Sequence, residues 1–250
     1  NAVLVISGDF DLEEARKLSE LYFADIPAQP QPARPALDEP SPAKPAFRRV
    51  VDPLAQVPGL VLGYPGPERR SSDYFTLVLL DIVLTAGESS RLFQALVKEK
   101  QSVIQFEAAL GWPFSSSVDF RGPGRYSLFL LHNPAVAAEE VRAQVEEEFS
   151  RLAREGVGEA ELERARTMLR SSRVAQMQSC LSRAMTLGRY MLFDEEPELI
   201  NRDLHRLLAV SAGEVQDLAR RLFGPEQIAL MQIVPAAMDA EAGDAAGENA

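Results

Sequence analysis

The most informative segment of the sequence is Gly87-Glu-Ser-Ser-Arg-Leu-Phe-Gln-Ala-Leu-Val-Lys-Glu-Lys100. We interpret residues 89–100 as a helix, which Gly87 separates from an apolar helix over 72–84. Strands are predicted on either side of this pair of helices, at 47–52, 59–64, 103–110 and 125–132. The order strand, strand, helix, helix is typical of an α+β domain rather than of a parallel doubly wound sheet.

Helices dominate the sequence that follows. Asn133 and Pro134 predict a cap with proline at the first helical position. The helix after them has one apolar face, formed by Val141, Val145, Phe149 and Leu152. Further helices are predicted at 159–178, at 181–192 and from the capping box at 211–214 to about 224, followed by a strand at 228–234. We therefore expect an α+β fold, in which an antiparallel sheet has helices packed mainly on one face.

The chain before residue 47 has a different character. A strand at 2–7 and a helix capped by Asp11 are predicted, and seven of the 17 prolines follow between residues 27 and 46. Proline at that density predicts an extended linker, and a surface loop inside one domain is the alternative. The predicted domains are therefore 1–26, a linker at 27–46, a domain at 47–235 and a disordered acidic tail at 236–250.

The two predicted strands at 2–7 and 228–234 are each followed by a linker-like segment. This echo suggests two tandem repeats, the first cut just before its last strand, although a coincidence of two short strands gives the same pattern. The chain also opens on Asn1 and an apolar run instead of an initiator Met. We expect it to be a mature or excised piece of a longer protein.

Composition narrows the classes of function. The chain carries 26 basic and 37 acidic residues, and a net charge of −11 disfavours nucleic acid as a partner. A single cysteine, Cys180, excludes an intramolecular disulfide. No apolar run approaches the roughly 18–20 residues that a membrane span needs. These features predict a soluble protein but leave its compartment, cytoplasmic or periplasmic, unknown.

Catalytic motifs are missing from the sequence. The two histidines, His132 and His205, have no second ligand at zinc spacing, and neither His-x-x-Glu-His nor Cys-x-x-Cys occurs. There is also no Gly-x-Ser-x-Gly turn and no phosphate-binding glycine loop. We expect no catalytic residue and no metal site in this chain.

A family resemblance rests on four segments in register. They are Val5-Ile-Ser-Gly-Asp-Phe10, the Ser-Arg-Leu-Phe segment at 90–93, Gly158-Glu-Ala-Glu-Leu-Glu-Arg-Ala-Arg166, and Val210-Ser-Ala-Gly-Glu-Val-Gln-Asp-Leu-Ala219. Together they resemble the insulinase/pitrilysin family of zinc peptidases, which includes the mitochondrial processing peptidase. The resemblance covers nearly all of residues 1–235.

The resemblance implies a clamshell of two homologous α+β halves. The first half of such a protein binds zinc through His-x-x-Glu-His, so this chain resembles the end of that half, the linker and the whole second half. The implied function is the substrate-enclosing, non-zinc-binding half of a zinc metalloendopeptidase that cleaves peptides or unfolded polypeptides, and this chain alone is expected to be inactive. The zinc-bearing half, fused or separate, and a peptide substrate are the implied partners. Two alternatives stay open: a catalytically silent structural subunit, like the family's core proteins of a respiratory complex, and a peptide-binding module.

The resemblance also implies substrate-binding residues. Many members place an Arg, and a Tyr seven residues later, so that both reach toward the substrate. The matching positions here are Lys98 and Gln105. Lys98 keeps the positive charge without the planar fork, and Gln105 donates a hydrogen bond without a phenol. With Ser90 and Arg91 of the motif, these are the predicted substrate-binding residues; a solvated lysine and a strand glutamine are the alternative for Lys98 and Gln105.

Overall fold

The computed structural model describes residues 2–30, 33, 45–111, 124–224 and 228–239. The strands are β1 (Ala46–Asp52), β2 (Gly59–Pro65), β3 (Val103–Leu110), β4 (Arg125–His132) and β5 (Ala229–Pro235). The α-helices are α1 (Leu12–Phe23), α2 (Ser72–Thr85), α3 (Ala138–Glu155), α4 (Glu159–Gln178), α5 (Cys180–Asp194), α6 (Leu199–Leu208) and α7 (Ala212–Leu222). A π-helix, Phe93–Glu99, lies between α2 and β3.

The five strands form one sheet in the order β1-β5-β2-β4-β3. The pairs β5–β2, β2–β4 and β4–β3 are antiparallel, and β1 joins β5 in parallel. The predicted α+β class with a mainly antiparallel sheet is therefore confirmed. A parallel pair needs a long crossover connection, and the chain between β1 and β5 supplies one.

One face of the sheet packs on helices. Leu60 and Leu62 of β2 and Leu128 and Leu130 of β4 lie in the same buried core as the apolar residues of α2, α3 and α7. The predicted apolar face of α3 is buried in this core. Burial of a large apolar side chain contributes about 1.5–3 kcal/mol, so this one-sided core stabilises the domain.

An aromatic cluster joins the helices to the sheet. The rings of Phe149 in α3 and Phe223 after α7 stack with centroids 3.8 Å apart. Tyr64 of β2 meets Phe223 edge-on at 5.2 Å. These contacts hold α3 and α7 on the same region of the sheet.

Three helix starts were predicted, and the Asp11 cap of α1 is confirmed. Ser211 and Glu214 form the predicted capping box at α7. The predicted start at Asn133-Pro134 is wrong, because the Asn133 side chain accepts a hydrogen bond from the amide of Ala135 and closes a turn. Helix α3 begins only at Ala138.

Other predictions needed correction as well. Residues 2–7 form no strand in the described part of the chain, since their backbone does not pair with the sheet. The segment predicted as a helix over 89–100 becomes a π-helix over 93–99, where the amide of Lys100 donates to the carbonyl of Ala95. Helix α6 was indicated only as a polar helical stretch around His205, without bounds. The linker and tail fall largely outside the described residues, and residues 236–239 are helical.

No helix in the described ranges is both long and apolar enough to cross a membrane.

Candidate functional site

The sheet face opposite the helices is the candidate site, and we call it the open face. It consists of Val61, Gln105, Glu107, Phe129, Leu131, Met231 and Ile233, which alternate along β2, β3, β4 and β5 with the buried core residues. Strand residues alternate between the two faces of a sheet, so these side chains point the same way. The open face therefore has an apolar centre with polar side chains on β3.

Register places the members of the open face side by side. Val61 in β2 lies opposite Phe129 in β4 and Met231 in β5. Gln105 lies opposite Leu131, and Glu107 lies opposite Phe129. Met231 is 36% exposed, and Val61, Phe129 and Leu131 are half-buried. An apolar sheet surface of this kind is suited to contact with another molecule.

Gln105 lies on the last strand in the sheet order, β3. A bulge between Val103 and Gln105 shifts the register of β3 against β4 and leaves Ile104 56% exposed. The Gln105 side chain is exposed. The structure thus places this predicted residue on the open face, where its amide faces solvent.

Lys98 lies in the π-helix, which packs against β3. Its side chain is 51% exposed and pairs with Glu88 at 3.6 Å. The ammonium also lies 5.7 Å from the centre of the Phe93 ring. Both contacts are exposed and contribute little energy, so Lys98 can exchange them for another acceptor.

Arg91 joins the start of this segment to α4. Its guanidinium donates two hydrogen bonds of 2.8 Å to the carboxylate of Glu161 and one of 2.7 Å to the carbonyl of Gly156. Although burial raises the pKa of Glu161, the bonds from Arg91 hold it below its usual value. Neighbouring Ser90 is 2% exposed. Both side chains therefore point into the protein, and their predicted contact with substrate stays a prediction.

The described residues do not fit a zinc ion. They contain no group of three or more His, Cys, Asp or Glu side chains that could hold a metal. His132 is 3% exposed, and its Nδ1 lies 3.1 Å from the carbonyl of Asn133. Burial lowers the pKa of His132, which favours the neutral ring. His205 is exposed on α6.

Two buried polar groups were not predicted from the sequence. Asp81 in α2 accepts a hydrogen bond of 2.9 Å from the Tyr126 hydroxyl and one of 3.3 Å from Thr85. Burial raises the pKa of Asp81 to about 6 despite these bonds. On the helix side, Arg69 pairs with Asp194 at 2.5 Å and Arg70 with Asp203 at 2.7 Å. No local pattern marks them, because Tyr126, Asp194 and Asp203 are remote in sequence from the residues they bond. The alternation of β2 and β4, by contrast, could have identified the open face.

Comparisons with known proteins agree with this architecture. A family model described as the peptidase M16 inactive domain matches residues 1–169. YmxG of Bacillus subtilis, described as an uncharacterized zinc protease, is 26% identical over 176 residues, which is 70% of this chain and 41% of that protein.

Solved structures share the fold. A protease from Helicobacter pylori superimposes with a TM-score of 0.81 at 18% identity, over 92% of this chain and 54% of that one. A chain of Complex III2 from Candida albicans, with Inz-5 bound, gives a TM-score of 0.70 at 13% identity, over 91% of this chain and 53% of that one. The chain thus spans about half the length, or less, of these relatives.

Proposed function

The chain belongs to the peptidase M16 inactive-domain family, and we propose that it is the substrate-enclosing half of a zinc metalloendopeptidase. In this proposal its partner is a zinc-bearing homologous half, on the same polypeptide or on a separate subunit. Its substrate is a peptide or an unfolded polypeptide. The described residues contain no group of three or more possible metal ligands, so in this proposal the partner half holds the zinc.

The open face is the observation that carries the proposal. Its strands are seven or eight residues long, so it extends for about 25 Å at ~3.3 Å per residue. An extended peptide of about seven residues fits along that length. The half-buried apolar centre can cover apolar side chains of the peptide and exclude water from them.

Polar groups on β3 and on the π-helix that packs against it can hold the peptide backbone. Gln105 can donate to a peptide carbonyl and accept from a peptide amide. Lys98, on the element next to β3, can donate a charged hydrogen bond to a carbonyl or an acidic side chain. The Arg91–Glu161 pair holds the segment that leads into the π-helix, so its role in the proposal is to position Lys98.

Photo-crosslinking tests enclosure directly. We would place a benzophenone amino acid at Met231 on the open face and, as a matched control, at exposed Arg170 on α4. Each variant is reconstituted with the zinc-bearing half and illuminated with a labelled substrate peptide. Enclosure predicts labelling at Met231 that excess unlabelled peptide suppresses, and little labelling at Arg170. Equal labelling at the two positions contradicts the proposal.

A second candidate function is a catalytically silent structural subunit. The likeness to a chain of Complex III2 supports it, because the same fold occurs in a large assembly. In that case the open face would contact another subunit, and the assembly would show no peptidase activity. Two results together would favour this function. The wild-type assembly would show no peptide turnover, and Met231→Arg would prevent the assembly from forming. A peptide-binding module, the third possibility, predicts crosslinking at Met231 without cleavage.

A further inference from the structure

A small cleft lies among four helices on the side of the domain away from the open face. Its volume is about 140 Å³. We call it the helix cleft, and its lining includes Phe75 of α2, Leu169 and Arg173 of α4, Tyr190 of α5, and Asp203 and Leu207 of α6. Nothing in the proposed peptidase role uses this cleft.

Most of the lining is apolar. Phe75 is 4% exposed and meets Tyr74 edge-on, with ring centroids 5.3 Å apart. Val78, Leu169 and Leu207 are partly buried against the same core. A cleft with apolar walls of this size suits a short hydrocarbon group, because burial removes that group from water.

The acidic group in the lining is already satisfied. Both carboxylate oxygens of Asp203 accept from Arg70, at 2.8 and 2.7 Å. The Tyr190 hydroxyl also donates to Asp203, at 2.9 Å. With these three hydrogen bonds Asp203 has little remaining capacity to bind a cationic ligand.

The basic group in the lining has only neutral acceptors in the part of the chain that the structure describes. Arg173 donates to the Gln176 side chain at 3.0 Å and to the Tyr190 hydroxyl at 3.3 Å. A second guanidinium, Arg206, lies 4.9 Å from the centre of the Phe75 ring. The charged residues of the lining are Arg173 and Asp203. With their charged neighbours included, four guanidinium groups (Arg69, Arg70, Arg173 and Arg206) stand against two carboxylates (Asp194 and Asp203). The excess positive charge favours an anion.

We propose that the helix cleft binds a small organic carboxylate with a short apolar chain. The carboxylate accepts hydrogen bonds from Arg173, and the chain lies against Phe75, Leu169 and Leu207. A carboxylate matches the planar fork of a guanidinium better than a neutral acceptor does. The ligand is a free short-chain acid or the C-terminal residue of a peptide, since both offer this chemistry.

Titration of the full 250-residue chain with hexanoate tests the proposal. Calorimetry and the NMR signal of the Arg173 side chain report binding, and 1-hexanol serves as the uncharged probe of equal chain length. We expect hexanoate to bind at least about tenfold more tightly than hexanol, because one charged contact accounts for about that factor. N-acetyl-leucine, compared with its amide, distinguishes a peptide end from a free acid as the source.

Variants on one helix separate a binding role from a structural one. Arg173→Gln should weaken hexanoate binding about tenfold and leave hexanol binding unchanged. Arg173→Lys should restore part of the loss, and Arg170→Gln, an exposed residue on the same helix, should have no effect. The proposal is wrong if hexanoate fails to bind at about 10 mM, or if hexanol binds wild type equally well. The comparison of hexanoate with hexanol uses only the wild-type chain, so it remains valid even if a variant fails to fold.

Discussion

The Arg91 guanidinium fastens the segment before the π-helix to the beginning of α4. Both partners are largely buried, with side chains 12% and 18% exposed for Arg91 and Glu161. A paired guanidinium at this depth stabilises the fold only while its geometry is kept, because an unpaired charge there is costly. Arg91 belongs to the motif for which a substrate contact was predicted. In the structure its hydrogen bonds go to Glu161 and Gly156 of the same chain.

Replacement of Arg91 by lysine should destabilise the domain. Arg91→Lys keeps the charge but loses the two parallel bonds to Glu161 and the bond to Gly156, so we expect a loss of about 1–3 kcal/mol in the free energy of unfolding. Urea denaturation measures this loss. Arg202→Lys is the matched control, because its side chain and that of its partner Glu196 are 56% and 49% exposed. An effect no larger than that of the control would contradict a structural role.

Asp81 should make stability depend on pH in the opposite sense to a salt-bridged carboxylate. Its pKa in the folded protein, about 6, lies above its value in an unfolded chain. Folding therefore favours the protonated form. The folded state is penalised above pH 6, and the penalty disappears as pH falls through 6 toward about 4.

Asp81→Asn should remove this penalty. The amide oxygen still accepts from Tyr126, so we expect the variant to be more stable than wild type by about 1–3 kcal/mol at pH 7.5. The gain should be much smaller near pH 4, where Asp81 is protonated in the folded state and about half protonated in the unfolded chain. Urea unfolding at both pH values tests this, with exposed Asp217→Asn as control. A gain that is the same at both pH values would contradict the assignment.

At the scale of elements, the π-helix and β3 carry the two residues predicted to bind substrate. The π-helix widens one turn, and such turns are frequent at functional sites. It is followed at once by a strand with a bulge at Ile104, and bulges often re-aim side chains near active sites. The two irregularities together set the positions of Lys98 and Gln105.

Loss of either side chain should reduce catalysis by the reconstituted enzyme. If each side chain contacts substrate, Lys98→Ala or Gln105→Ala should weaken binding of the transition state by roughly 1–3 kcal/mol. The measured kcat/KM should fall by the corresponding factor. Lys100→Ala is the control, because Lys100 pairs with Glu147 at 2.7 Å and lies just after the same helix. If both variants stay within about twofold of wild type while folded, the second half contributes enclosure only.

At the scale of the whole molecule, this chain should be inactive by itself. Its described residues hold no group that could bind a metal, and its sequence lacks a zinc motif. We expect the purified chain to contain no stoichiometric zinc and to leave an unfolded test polypeptide intact, whereas the mixture with the zinc-bearing half cleaves it. Metal analysis and a gel assay decide this. Turnover by the chain alone that a chelator abolishes would refute it.

The positions of most helices and strands could be predicted from local sequence signals. Local signals were sufficient where one element depends on its own residues, as with the Ser211 capping box, the apolar face of α3 and the strand β4. They failed where a distant partner decides the structure. Residues 2–7 look like a strand, yet a strand requires a neighbour to pair with, and Asn133 formed a turn instead of a helix start.

The candidate sites are assembled by strand register and by contacts between distant residues, which local sequence does not show. The register of β2, β4 and β5 brings Val61, Phe129 and Met231 onto one open face, although about 170 residues separate the first from the last. Folding likewise turned Arg91 toward Glu161 and brought Arg70 to Asp203, 133 positions away. The physical reason is that propensity and caps act over a few residues, whereas strand order, burial and charge pairing depend on which distant segments meet.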